Sequence, residues 1–136
     1  MDCLNSAGAY LKSQKDSVLL TTNLTAQIPV IDLGITTETA NKAETQKKID
    51  DTNLRLTAAK AKLAAAVSDA DKKAYTSAVS AWTSAARLYT SQLNKITLNI
   101  RKLEAAKLAA TTQPAQLKAD VDNTKANAQL ICTKGF

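Results

Sequence analysis

A heptad repeat of apolar residues is the feature that most constrains the fold of this chain. Between Tyr75 and Leu103, apolar residues recur at alternating steps of four and three along the sequence. This spacing holds one side of an α-helix against a neighbouring helix, as in a coiled coil. The repeat predicts a long helix with a core stripe made of Tyr75, Val79, Trp82, Ala86, Tyr89, Leu93, Ile96, Ile100 and Leu103.

The composition agrees with a fold built from long helices. Only 3 Gly and 2 Pro occur among 136 residues, and both residue types interrupt helices. The heptad spacing also recurs in shorter segments on either side of the core stripe. We therefore expect a single all-α domain over residues 1–136, an antiparallel bundle or coiled-coil hairpin of four helices. Their expected bounds are about 4–27, 37–67, 69–111 and 114–132, with helix three the longest.

Prolines and capping residues set these expected boundaries. Pro29 disfavours a helical conformation in the residue before it, so helix one is expected to end there. Segment 28–35, IPVIDLGI, is rich in β-branched residues and is expected to form an extended apolar strap. The strap either covers one end of the helical core or adds as a strand to a partner's sheet. Ser68 is expected to cap helix three, Pro114 to begin helix four and Gly135 to end it.

Two further helical patterns complete the expected core. Helix two has a heptad seam in which large and small residues alternate, and it is expected to form an antiparallel hairpin with helix three. Helix one has a less regular apolar stripe, broadened by neighbouring leucines, which consists of Leu4, Ala7, Leu11, Val18 and Thr25.

The middle of helix three is nearly free of charge. From Tyr75 to Asn94 the only charged residue is Arg87, and most residues outside the core stripe are Ser, Thr or Ala. A helix that faces water normally carries charges on its outer face. Small side chains allow close approach of another backbone, and hydroxyls bond to backbone carbonyls where water is scarce. We expect contact with helix two and with another copy or a different subunit; an exposed Ser and Thr face is the alternative.

Two cysteines near opposite ends of the chain predict a disulfide between Cys3 and Cys132. In a layout with helices one and four packed around the second half of helix three, they meet near the middle of that helix. The bond would close a loop of about 130 residues and stabilise the fold by about 4 kcal/mol. It indicates an oxidising setting, either extracytoplasmic or in a virion. Two free thiols, or lipid attachment at Cys3, are the alternatives. No signal peptide pattern is present at the N-terminus of this chain.

The residue types needed for most site chemistry are missing. The chain has no His, no glycine-rich phosphate loop and no Cys pair at metal-binding spacing. We therefore expect no enzymatic activity, no cofactor, no metal and no small-molecule substrate. The net charge of +6 is moderate and is not accompanied by interleaved aromatic residues, which argues against nucleic-acid binding. No continuous run of about 18 apolar residues occurs, so no membrane span is expected.

Two functional hypotheses follow. The first is a non-enzymatic structural protein that packs through long amphipathic helices as a homo-oligomer or in a larger assembly, such as a virion, an appendage or a surface layer. The alternative is a secreted or surface-exposed binding module pinned by the disulfide. A minor hypothesis is binding to an acidic partner, although a solvated face explains the same residues. The basic residues concerned are Arg87, Lys95, Arg101, Lys102 and Lys107.

Overall fold

The computed structural model describes residues 2–132 and contains two α-helices. Helix α1 spans Cys3–Ala65 and helix α2 spans Asp69–Ile131. The protein is therefore all-α, but it is a two-helix hairpin, and the prediction of a four-helix bundle was wrong. The predicted helix end at Gly135 lies outside the described residues.

The segment expected to form an extended strap is helical. Residues 28–35 lie inside α1, with Pro29 in the helix interior. Because proline has no backbone N–H, the carbonyl of Thr25 loses its helical hydrogen bond. Thr25 and Pro29 are both exposed, so water can satisfy that carbonyl. Ile28 and Ile31 are half-buried, in phase with the seam further along α1. Continuation of this seam outweighs the local preference against helix.

The predicted break at Pro114 is also absent, because α2 runs through it. Half-buried and buried positions follow the same alternating spacing across the proline, at Lys107, Ala110, Pro114 and Leu117. Helices three and four of the sequence prediction are therefore one helix. Their two stripes are in phase along the chain, since Leu103 and Leu117 are two heptads apart.

The short turn between the helices matches the prediction for this part of the chain. The Ser68 hydroxyl accepts a hydrogen bond of 3.2 Å from the backbone N–H of Asp71, which confirms Ser68 as the cap of the following helix. Asp69 and Asp71 lie in the first turn of α2, and Lys62 lies in the last turn of α1. These charges have the signs that the helix dipoles favour.

The contacts divide the chain into two compact units, and each contains a piece of both helices. The turn unit consists of residues 34–102, and the terminal unit of the described residues within 1–33 and 103–136. In the turn unit the seam of α1 is buried at Thr45, Ile49, Thr52 and Ala59, at heptad spacing. The sequence prediction of a single domain stays a prediction.

In the terminal unit the start of α1 packs against the end of α2. Ser6, Ala110, Ala128 and Cys132 are buried there. Helices one and four were instead expected to surround the second half of helix three, and that layout is wrong because the chain does not turn back at 28–35.

The expected helix-one stripe also faces the wrong way, because its large members Leu4, Leu11 and Val18 are exposed by 81%, 60% and 63%.

Candidate functional site

The core stripe predicted on α2 lies on the half-buried side of that helix. All nine of its members, from Tyr75 to Leu103, are half-buried. Trp82 is therefore not open to solvent, and its ring faces α1 rather than standing free as a stacking surface. No large side chain among the described residues is fully buried.

Aromatic residues of α2 and cations of α1 form a ladder in the turn unit. The guanidinium carbon of Arg55 lies 5.1 Å from the centroid of the Trp82 ring. One heptad away, Lys48 Nζ lies 5.9 Å from the centroid of Tyr89. The numbers rise by seven on α1 and fall by seven on α2, which shows that the helices run antiparallel here. We call these pairs the cation–aromatic ladder.

The same register places Lys62 at the level of Tyr75, another heptad towards the turn. Both residues line one open cleft together with Arg55, Ala58, Ala59 and Trp82. Cation–π pairs at exposed positions contribute about 0.5–1 kcal/mol each and require a defined geometry. The ladder therefore favours one register of α1 against α2, and a slip by one residue would separate the charges from the rings.

Sequence reasoning missed the cations of this ladder, since it considered only Arg87 beside the rings. A signal was available, because Lys48, Arg55 and Lys62 are spaced seven apart, as are Tyr75, Trp82 and Tyr89. Arg55 also bonds to Asp51 through a 3.0 Å ion pair within α1. Both side chains of that ion pair are more than half exposed, so the pair adds little stability.

Hydroxyl groups of α2 bond to the helix itself. The Thr76 and Thr83 hydroxyls donate hydrogen bonds of 2.7 Å to the carbonyls of Lys72 and Val79. Such bonds satisfy threonine without a water or a partner. Ser77, Ser80 and Ser84 lie on sides of α2 that are exposed within this chain. The expected second contact on these sides stays a prediction.

No family model, curated protein or solved structure matches this chain.

The two predicted cysteines are joined at the far end of the terminal unit. Cys3 and Cys132 form a disulfide with their Cα atoms 4.9 Å apart. The bond links the first residue of α1 to the residue after α2, so both helix ends are held where single helices fray. The pair does not meet near the middle of a long helix, as the four-helix layout had implied.

The basic residues considered for an acidic partner are not all free. Lys107 Nζ forms a 2.7 Å ion pair with Oδ1 of Asp32 in the terminal unit. Both side chains are nearly half exposed, so the pair is close to the surface. Lys107 is therefore already matched by an acidic side chain of its own chain.

One described helix meets the length and composition test for a membrane span. An 18-residue window within α1 has a mean hydropathy of 1.4, and none of that window is buried. Core helices of soluble proteins and signal sequences meet the same test, so one such helix is weak evidence. Within residues 2–132 no group of His, Cys, Asp and Glu could hold a metal ion.

Proposed function

We propose that this protein is a non-enzymatic assembly subunit whose long helices pack with those of other subunits in a larger complex. The observation that carries this proposal is the exposure of its apolar side chains. Among the described residues, large apolar side chains are exposed by up to 88% and none is fully buried. Burial of apolar surface is the main favourable term in folding. A hairpin with so little of it gains stability when partner helices cover its outer faces.

The heptad seams and the cation–aromatic ladder supply the order that an assembly subunit needs. They hold α1 and α2 in one register within the turn unit, so the outward side chains of that unit are presented in a fixed arrangement. The disulfide supports an oxidising setting for the assembly. A virion, an extracellular appendage or a surface layer meets that description.

The test is to isolate the chain from its native source without denaturant. After gentle lysis and chemical crosslinking, we expect the chain to sediment in a complex several times larger than its own 14.5 kDa. Tagged recombinant chain, added to the extract before crosslinking, is the control for association acquired during extraction. A native chain that sediments as a free monomer would contradict the proposal.

A second candidate function is a binding module that works as a single bridged chain. The disulfide between the two helix ends favours it, since such bonds often stabilise small secreted domains. This candidate requires a well-folded monomer whose melting temperature falls on reduction. If reduction leaves the melting temperature unchanged, the binding-module hypothesis is contradicted.

A further inference from the structure

The first turns of α1 pack against α2 through a face rich in hydroxyl groups. Within residues 2–23, the positions that are buried or half-buried are Ser6, Ala7, Tyr10, Ser13, Ser17 and Thr21. None of these six carries a large aliphatic side chain. In the turn unit, by contrast, the buried and half-buried positions of α1 include Ile49, Leu56 and Leu63. Because packing is stabilised mainly by burial of apolar surface, the first turns of α1 gain little from their contact with α2.

The contact in this region is also incompletely packed. Ser13 and Ser17 line an open cleft together with Leu117 and Val121 of α2. The Ser6 hydroxyl oxygen is buried and has no hydrogen-bond partner among the described residues. An open cleft loses dispersion contacts, and an unpaired buried hydroxyl costs free energy. Noncovalent contacts therefore hold the start of α1 on α2 only weakly.

The disulfide between Cys3 and Cys132 lies at the end of this weak contact. While the bond is closed, the first residue of α1 cannot leave the end of α2, and the residues that follow stay at a high effective concentration beside that helix. Once the bond is open, only the noncovalent contacts remain. Cys3 is exposed whereas Cys132 is buried, so a thiolate approaches the bond from the Cys3 side.

Pro29 marks the end of the weakly held segment. It has no N–H to donate to the Thr25 carbonyl, so the ladder of helical hydrogen bonds is interrupted there. Just beyond it, Ile31 is half-buried, and Asp32 forms a 2.7 Å ion pair with Lys107 of α2. Helices bend most readily where a proline interrupts this ladder. The segment before Pro29 can therefore move away while the contact beyond it is kept.

We propose that the Cys3–Cys132 disulfide is a redox latch, and that a dithiol reductant releases residues 3–28 from α2 while the turn unit stays folded. One thiolate of the dithiol attacks Sγ of Cys3, the S–S bond breaks, and Cys132 leaves as a thiolate that takes up a proton. The second thiol of the reductant then attacks the mixed disulfide. Cys3 is released as a thiol, and the dithiol is oxidised to its own disulfide. The latch operates whether the chain acts alone or in an assembly.

The experiment compares hydrogen exchange of the backbone amides of the full chain, followed by NMR, with and without dithiothreitol. We expect reduction to raise the exchange rates of α1 amides in residues 10–28 by at least about tenfold, because this segment opens locally. Exchange in residues 45–63 should change by less than about threefold. The double variant Cys3→Ser with Cys132→Ser, measured without reductant, should behave like the reduced chain.

Two neighbouring threonines provide a matched pair of variants. Thr21 is half-buried towards α2 and Thr22 is exposed, so Thr21→Leu and Thr22→Leu make the same chemical change on different sides of α1. In the reduced chain we expect Thr21→Leu to slow exchange in residues 10–28 at least about fivefold relative to wild type, since leucine adds apolar packing on α2. Thr22→Leu should change it by less than about twofold.

Three results would overturn the latch. The first is exchange that does not change on reduction, or that becomes faster only before Tyr10, since the disulfide would then limit no more than fraying of the end. The second is an equal rise in residues 45–63, because the opening would not stop at Pro29. The third is an equal effect of Thr21→Leu and Thr22→Leu, which would show that the face towards α2 does not control release.

Discussion

At the scale of single residues, Arg55 of α1 lies over the ring of Trp82 of α2 in the turn unit, and this pair favours one register of the two helices. Removing either partner should destabilise the hairpin, and the two losses should not add. In a double-mutant cycle with Arg55→Ala and Trp82→Ala we expect a coupling free energy of about 0.5–1 kcal/mol, because the pair is partly exposed. Urea unfolding monitored by circular dichroism measures each corner of the cycle.

The control for this cycle is Asp51→Ala, which removes the ion pair to Arg55 and leaves the ring contact. It should lower the free energy of unfolding by no more than about 0.5 kcal/mol. A coupling near zero between Arg55 and Trp82 would show that the ladder does not contribute to the register.

Ser6 gives a second prediction at this scale. It is exposed by only 4%, and its hydroxyl oxygen has no hydrogen-bond partner among the described residues. An unsatisfied buried hydroxyl costs about 1–3 kcal/mol. Ser6→Ala should therefore raise the free energy of unfolding by about 1 kcal/mol. Ser13→Ala, at a half-buried position of the same helix, should change it by less than about 0.5 kcal/mol. A loss of stability in Ser6→Ala would contradict this description of the site.

At the scale of helices, the sequence predicted the Ser68 cap and the disulfide pair, but not the continuity of either helix. Pro29 and Pro114 are strong local signals against helix, so a prediction from local sequence places helix boundaries at both. The phase of the heptad seam is a long-range signal, and it continues unbroken past Pro114. Because each seam position adds packing with the facing helix, the sum over many turns exceeds the loss at one proline.

The exposed Leu4, Leu11 and Val18 could not be predicted from helix one alone. Once α1 is continuous, the seam further along fixes which side of its first turns faces α2. That side carries Ser6, Tyr10, Ser13 and Ser17 rather than the large apolar residues. The apolar stripe of helix one would predict the buried face only if helix one were a separate helix, whose orientation was not set by the rest of α1.

Helix continuity makes a prediction for Pro29→Ala. Alanine restores a backbone donor in the helix interior and has the highest helix propensity, so we expect the free energy of unfolding to rise by about 2 kcal/mol. Gln27→Ala, at an exposed position two residues earlier, should change it by only a few tenths of a kcal/mol. If segment 28–35 were extended, Pro29→Ala would leave the free energy unchanged or lower it.

At the scale of the whole molecule, the chain buries one seam and leaves its other helix faces to solvent. The disulfide limits fraying at one end, but it does not cover the exposed leucines and valines. A chain of this kind gains most of its remaining stability from association, which ties its folding to its concentration. The exposure of these helix faces could not be predicted from the core stripe or from the charge pattern. Burial depends on which faces of the two helices pack together.

The most direct test of this account is the melting temperature of the purified chain, measured by circular dichroism from about 1 to about 100 µM. If association covers the exposed faces, the melting temperature rises steadily with protein concentration. A melting temperature that is the same across this range would contradict the account, since the hairpin would then be fully stable as a single chain.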